Sequence, residues 1–78
     1  MRTFVAYDKY IVSGSDEDIV AQLKKMQFID NDADIHEFMM GFSNRAWAVA
    51  DHYISADNAC DFVSDLIHYG YLKEVEFN

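Results

Sequence analysis

Residues 57–77 read DNACDFVSDLIHYGYLKEVEF, and this stretch combines the two periodicities on which the predicted fold depends. From a start near Ser55 or Asp57, apolar residues recur at offsets of three and four, as on the buried face of an amphipathic helix. Those residues are Ala59, Phe62, Val63, Leu66 and Ile67. Gly70 follows as a left-handed helix end, and the alternation from Tyr71 to Phe77 predicts a closing strand.

The N-terminal residues predict a β-hairpin. Two runs rich in β-branched and aromatic residues, Thr3 to Tyr7 and Tyr10 to Ser13, are separated by Asp8-Lys9, which is short enough for a two-residue loop. Gly14 then ends the second strand. We therefore expect two antiparallel strands before the first helix.

Two more helices are predicted between the hairpin and residue 57. Ser15 followed by Asp18 has N-cap spacing, so a helix is expected from Asp16 to Gln27. After a polar connection, a second, longer helix is indicated by Ile35, Phe38, Met39, Phe42, Ala46, Val49 and Ala50. The order β-β-α-α-α-β predicts a single α+β domain over residues 1–78, in which the hairpin and the C-terminal strand form a small antiparallel sheet packed against three helices.

The composition indicates a folded acidic protein. Hydrophobic residues make up 51% of the 78 residues, and 14 acidic against 6 basic residues give a formal charge of −8. This charge argues against direct binding to nucleic acid or to an anionic membrane, and favours basic partners. A single cysteine, Cys60, excludes an internal disulfide, and no apolar run approaches 18 residues. We therefore expect a cytoplasmic protein.

No motif for metal binding or catalysis is complete. Asp30, Asp32 and Asp34 have the spacing of the first calcium ligands of an EF-hand, but Ile35 and Gly41 occupy the positions that require Gly and Glu. A solvated loop whose last Asp caps the second helix explains this run better.

The remaining potential metal ligands and nucleophiles also match no known motif. His36, His52, His68 and Cys60 form no paired spacing typical of zinc sites, and no serine lies in a catalytic motif. Asp61 and Asp65 would act as an acid–base pair only in a pocket that raises the pKa of one of them. The sequence therefore predicts no enzyme activity, no metal and no cofactor.

Acidic residues on the predicted third helix are the first candidate interaction site. Asp57, Asp61 and Asp65 recur every four residues, at steps of about 6 Å along a helix, where like charges destabilise an isolated helix by about 0.2–0.5 kcal/mol per pair. Other acidic segments that could extend this surface contain Asp16, Glu17, Asp18, Glu74 and Glu76. These carboxylates serve solubility alone, or they present charge to a protein rich in Lys and Arg.

An apolar stripe on the second helix is the other candidate. Met40 and Trp47 lie seven residues apart, on a side distinct from the predicted core face, and Tyr53 is close in sequence. One interpretation places this helix between the sheet and another helix, so that the stripe is buried. The other makes the stripe a contact surface for self-association or for a target protein.

A resemblance adds to these hypotheses. The segment from Phe28 to Leu72 resembles small uncharacterised proteins of bacteriophages and mobile elements of Gram-positive bacteria, through Glu37-Phe38-Met39, Asn44-Arg45-Ala46, Asp61-Phe62-Val63 and Leu66-Ile67 before Gly70. In size and acidity the chain is also similar to phage anti-defence proteins, both anti-CRISPR and DNA-mimic, a class that shares no motif.

The resemblance implies a non-enzymatic inhibitor that occupies the basic nucleic-acid-binding surface of a host defence protein, in the host cytoplasm. The alternative is a small homodimeric phage accessory or assembly protein that associates through Met40, Trp47 and Tyr53.

Overall fold

A small antiparallel sheet packs against three helices in the computed structural model, which describes residues 2–26 and 34–75. The elements in chain order are β1 (Arg2–Ala6), β2 (Tyr10–Gly14), α1 (Asp16–Lys25), α2 (Ile35–Ala50), α3 (Ala59–His68) and β3 (Leu72–Glu74). The strand order is β2-β1-β3, and β1 pairs antiparallel with both neighbours. The predicted α+β fold and its element order are confirmed.

One face of the sheet forms the floor of the core. Phe4 lies opposite Val12 on β2, and Ala6 lies opposite Leu72 on β3. All four side chains are buried, because alternate residues of a strand point to the same face and the helices cover that face. On β3 the buried residue is Leu72, which belongs to the set that alternates with Tyr71, Lys73 and Val75.

Aromatic rings from α2 and α3 fill the centre of the core. The ring centroid of Phe62 lies 6.1 Å from that of Phe38 and 5.6 Å from that of Phe42, both with edge-on geometry. Helix α1 adds Ile19 and Leu23, which are fully buried. These contacts fix the position of α3 relative to α1 and α2.

The hairpin loop differs from the predicted two-residue turn. It comprises three residues, Tyr7 to Lys9, in which Tyr7 and Asp8 have φ of 54° and 59° and the Lys9 N–H donates to the Ala6 carbonyl at 3.0 Å. The Tyr7 N–H donates to the carbonyl of Tyr71, the residue before β3, at 3.1 Å. The left-handed conformations of Tyr7 and Asp8 reverse the chain within this three-residue loop.

The predicted start of the third helix is wrong. Helix α3 begins at Ala59, because the Asn58 side chain accepts a hydrogen bond from the Asp61 N–H at 2.8 Å and acts as the N-cap. Asp57 therefore precedes the helix, and only Asp61 and Asp65 of the predicted three-carboxylate ridge lie on it. The helix ends at His68, and Gly70 follows it in the predicted left-handed conformation, with a φ of +85°.

Helix α1 and strand β3 are shorter than predicted. Helix α1 ends at Lys25, and Gln27, the predicted end, lies outside the described residues. Strand β3 covers Leu72–Glu74, so Tyr71 precedes it, and Glu76 and Phe77 also lie outside the described residues.

Two glycines give opposite predictions for stability. A Cβ on Gly41, inside α2, would meet only the Arg45 Nη1 atom, at 3.4 Å, among the described residues. Gly41→Ala should therefore raise the free energy of unfolding by about 1 kcal/mol through helix propensity. A Cβ on Gly70 would meet no atom within 4 Å, but its φ of +85° should make Gly70→Ala destabilising by about 1–2 kcal/mol. Urea denaturation measures both, and effects of the same sign would contradict this assignment.

Candidate interaction surface

The acidic residues at the start of α1 differ in their hydrogen bonding and in their exposure to solvent. Ser15 and Asp18 form a capping box, in which the Asp18 N–H donates to the Ser15 Oγ and the Ser15 N–H donates to the Asp18 Oδ2, both at 3.2 Å. Asp18 is thus engaged in holding the helix end. Glu17 is exposed, and Asp16 is half-buried beside α3.

The carboxylates of α3 are held by hydrogen bonds within the α2–α3 region. The Asn58 Nδ2 donates to the Asp61 Oδ2 at 3.1 Å, and the Ser55 N–H donates to the Asp65 Oδ2 at 2.8 Å. Asp61 and Asp65 are four residues apart, so they lie on neighbouring positions of the exposed side of the helix. Both carboxylates are therefore held in defined positions before any partner binds.

Cys60 shows that the acidic residues of α1 and α3 meet. The Asp16 carboxylate raises the pKa of the exposed Cys60 thiol, chiefly by its charge and also by accepting a hydrogen bond. Partial desolvation and the negative charge of Asp61 raise this pKa further, while Arg2 lowers it. Helices α1 and α3 are in contact, so Asp16 lies beside Cys60, and Asp61 is the next residue of α3. We call Asp16, Asp61 and Asp65 the acidic face.

Glu74 joins this end of the molecule through Arg2. The Arg2 Nε lies 3.3 Å from the Glu74 Oε2, and the Arg2 Nη1 lies 4.0 Å from the Asp16 Oδ1. The Arg2 guanidinium also lies over the Phe4 ring, 4.9 Å from its centroid. Arg2 thus partly neutralises the edge of the acidic face. The predicted site residue Glu76 lies outside the described residues.

Several lysines lie away from the acidic face. Lys24 and Lys25 occupy the last turn of α1, at the opposite end from Asp16. Lys73 pairs with Asp8 of the hairpin loop at 3.0 Å. In α1, the acidic residues are therefore at the N-terminal end and the lysines at the C-terminal end. The N-terminal end lies beside α3.

The apolar stripe of α2 faces solvent. Met40 is 47% exposed and Trp47 is 48% exposed, so the interpretation that places this stripe in the core is wrong. The helix buries Phe38 and Phe42 on its other side. Tyr53 is 68% exposed, and its ring centroid lies 4.4 Å from that of Trp47. Trp47 and Tyr53 thus form one exposed aromatic pair.

An open groove of about 500 Å³ adjoins this aromatic pair. Its lining includes Ser43, Trp47, Tyr53, Ser55, Asp57 and Asp65. The sequence patterns did not reveal this groove, because it forms where the segment between α2 and α3 folds back over both helices. The chain reverses direction at Asp51, the residue after α2, which adopts the left-handed conformation with a φ of 57°.

His52 and Asp34 each have a structural role. His52 stacks on Tyr69 with ring centroids 4.2 Å apart, and its Nδ1 lies 2.8 Å from the Tyr71 hydroxyl. Asp34 caps α2 by accepting from the Glu37 N–H at 2.8 Å, as predicted, whereas the other two aspartates of the calcium-like run lie outside the described residues. Over residues 2–26 and 34–75, no group of three or more His, Cys, Asp or Glu side chains is arranged to hold a metal ion.

Comparison of the chain with protein-family models, with curated proteins and with solved structures finds no match. Within the described part of the chain, none of the helices has the length and apolarity needed to cross a bilayer. The acidic face and the groove are therefore the features from which a function can be inferred.

The reactivity of Cys60 tests whether Asp16 belongs to the acidic face. Because Asp16 raises the pKa of the thiol, the thiolate fraction at pH 8 is reduced, and Asp16→Asn should speed alkylation by iodoacetamide. Glu37→Gln, which removes the same charge at the start of α2, should leave the rate unchanged. Equal rates in all three proteins would show that Asp16 and Cys60 are not neighbours.

Proposed function

We propose that this chain is a non-enzymatic inhibitor, encoded by a phage or mobile element, that occupies the basic nucleic-acid-binding surface of a host defence protein in the cytoplasm. The observation that carries the proposal is the acidic face, to which two helices in contact, α1 and α3, both contribute carboxylates. A surface that normally holds phosphates is lined by Lys and Arg, and fixed carboxylates can pair with the same side chains.

The way these carboxylates are held supports binding rather than mere solubility. Asp61 and Asp65 each accept a hydrogen bond from a neighbouring group, and the helix that carries them is packed through Phe62 and Leu66. Side chains that are already ordered lose less entropy when a partner binds.

The charge of the whole chain supports the same function. A net charge of −8 on 78 residues gives a long-range field that attracts a cationic partner and repels nucleic acid. Association should be fast at low ionic strength and should weaken as salt screens the charges. Competition with DNA or RNA for one basic surface follows directly from this mechanism.

A second candidate function is supported by the exposed aromatic pair. Trp47, Tyr53 and Met40 are residue types enriched in the centres of protein interfaces, and all three are exposed. A homodimeric phage accessory or assembly protein would bury them between two copies of the chain.

Affinity capture with matched charge variants tests the inhibitor function. The wild type, Asp16→Asn/Asp61→Asn, and the control Asp8→Asn/Glu37→Gln are used as baits in a nuclease-treated lysate of a Gram-positive bacterium. Both double variants change the net charge from −8 to −6, because each replacement removes one negative charge. The wild type and the control should retain a nucleic-acid-binding protein that duplex DNA or RNA displaces, and the acidic-face variant should bind it about tenfold more weakly.

Two results would contradict this function. One is a captured protein that both double variants bind equally well; the other is capture that neither DNA nor RNA displaces. Recovery of virion components, together with a dimer in sedimentation that Trp47→Ala dissociates, would instead support the assembly protein.

A further inference from the structure

The groove beside the acidic face combines two kinds of group that recognise the same ligand. Its aromatic side is formed by Trp47 and Tyr53, and its acidic side by Asp57 and Asp65. Aromatic faces attract cations through their quadrupole, with Trp the strongest, and carboxylates attract cations by charge. Neither group alone would distinguish this groove from the rest of an acidic surface, whereas the combination is specific for an organic cation.

The groove is preformed by hydrogen bonds from the segment between α2 and α3. The Ser43 Oγ donates to the Ile54 carbonyl at 2.6 Å, which ties this segment to α2. The Ser55 N–H donates to the Asp65 Oδ2 at 2.8 Å, which ties it to α3. The Tyr53 N–H also donates to the Tyr69 hydroxyl at 3.3 Å. The aromatic and acidic sides are therefore held apart without a ligand.

The arrangement of the aromatic rings favours a flat cation. Trp47 and Tyr53 contact each other at 4.4 Å between centroids, so no ligand enters between them, and a ligand stacks on an outer ring face. A planar guanidinium can lie on such a face while its edge donates hydrogen bonds to a carboxylate. Lysine offers a point charge without the planar stacking surface, and it is more strongly hydrated.

We infer that the groove between Trp47, Tyr53, Asp57 and Asp65 binds an arginine side chain of the protein partner. This inference rests on the proposed function and names the anchor residue of the partner. Asp65 lies on the acidic face and also lines the groove, so the two surfaces are continuous at this residue. The acidic face then attracts a basic surface over a distance, and the groove selects an arginine from it.

A small-peptide titration tests the groove without knowledge of the partner. Acetyl-Gly-Arg-Gly-amide is compared with its citrulline analogue, which has the same shape and no charge, and with its lysine analogue. The chain contains one tryptophan, so fluorescence reports on Trp47 directly, and amide shifts of Ser55 and Asp65 report on the acidic side. The arginine peptide should bind in the millimolar range, the lysine peptide about threefold more weakly, and the citrulline peptide should produce no saturable change.

Matched variants locate the binding site. Asp57→Asn and Trp47→Leu should each weaken the arginine peptide by about threefold to fivefold in the amide-shift titration. Glu37→Gln removes the same charge elsewhere, and Met40→Leu changes a side chain of α2 with similar exposure outside the groove. Both controls should bind as the wild type does.

The inference fails if citrulline binds as well as arginine, or if the groove variants and their controls bind the arginine peptide equally. That failure is distinguishable from failure of the proposed function. If captured partners depend on Asp16 and Asp61 but not on Trp47 and Asp57, the inhibitor function stands and the arginine groove does not.

Discussion

Burial of the apolar sides of α1 and α3 in one core is the constraint on which the functional surface depends. Ile19 and Leu23 of α1 and Phe62 and Leu66 of α3 are almost completely buried. With its apolar side packed into the core, each helix has a fixed orientation. The positions of its polar side and of its N-terminal end are then fixed as well. Asp16 lies beside the Cys60 thiol for this reason, although the two residues are 44 positions apart in sequence.

The acidic face has a physical cost that the local structure reduces. Like charges one helical turn apart, such as Asp61 and Asp65, destabilise a helix by a few tenths of a kcal/mol. Asp16 and Asp61 are in the first turns of their helices, where the helix dipole favours negative charge. Arg2 pairs with Asp16 and Glu74, and Asp65 accepts the Ser55 N–H. The carboxylates are thereby kept together at small cost and remain available on their solvent side.

Periodicity predicted the elements of the fold, because helical and strand patterns are local properties of the sequence. The α+β order, the Asp34 cap and the Gly70 helix end all follow from short-range rules. The hairpin loop did not, because Tyr7 adopts a left-handed conformation that its residue type does not favour. The start of α3 follows a short-range rule too, but the N-cap is Asn58 and the prediction placed the start near Ser55 or Asp57.

The candidate site was only partly predictable. Asp61 and Asp65 were correctly placed on one helix, but the position of Asp16 beside Cys60, the residue before Asp61, is a consequence of tertiary packing. The groove depends on Ser43 and Ser55, whose hydrogen bonds hold the segment after α2. Isolated serines in polar sequence carry no signal for such a role.

The central claim is that carboxylates from two helices act as one anionic surface, and a trivalent cation tests it most directly. Hexaamminecobalt(III) does not exchange its ammonia ligands, so it reports negative potential without coordinating single side chains. In an NMR titration, the account predicts that amide signals around Asp16, Cys60, Asp61 and Asp65 shift together, with one shared affinity that falls as salt is added. Separate affinities for these residues, or stronger shifts around Asp34 and Glu37, would contradict it.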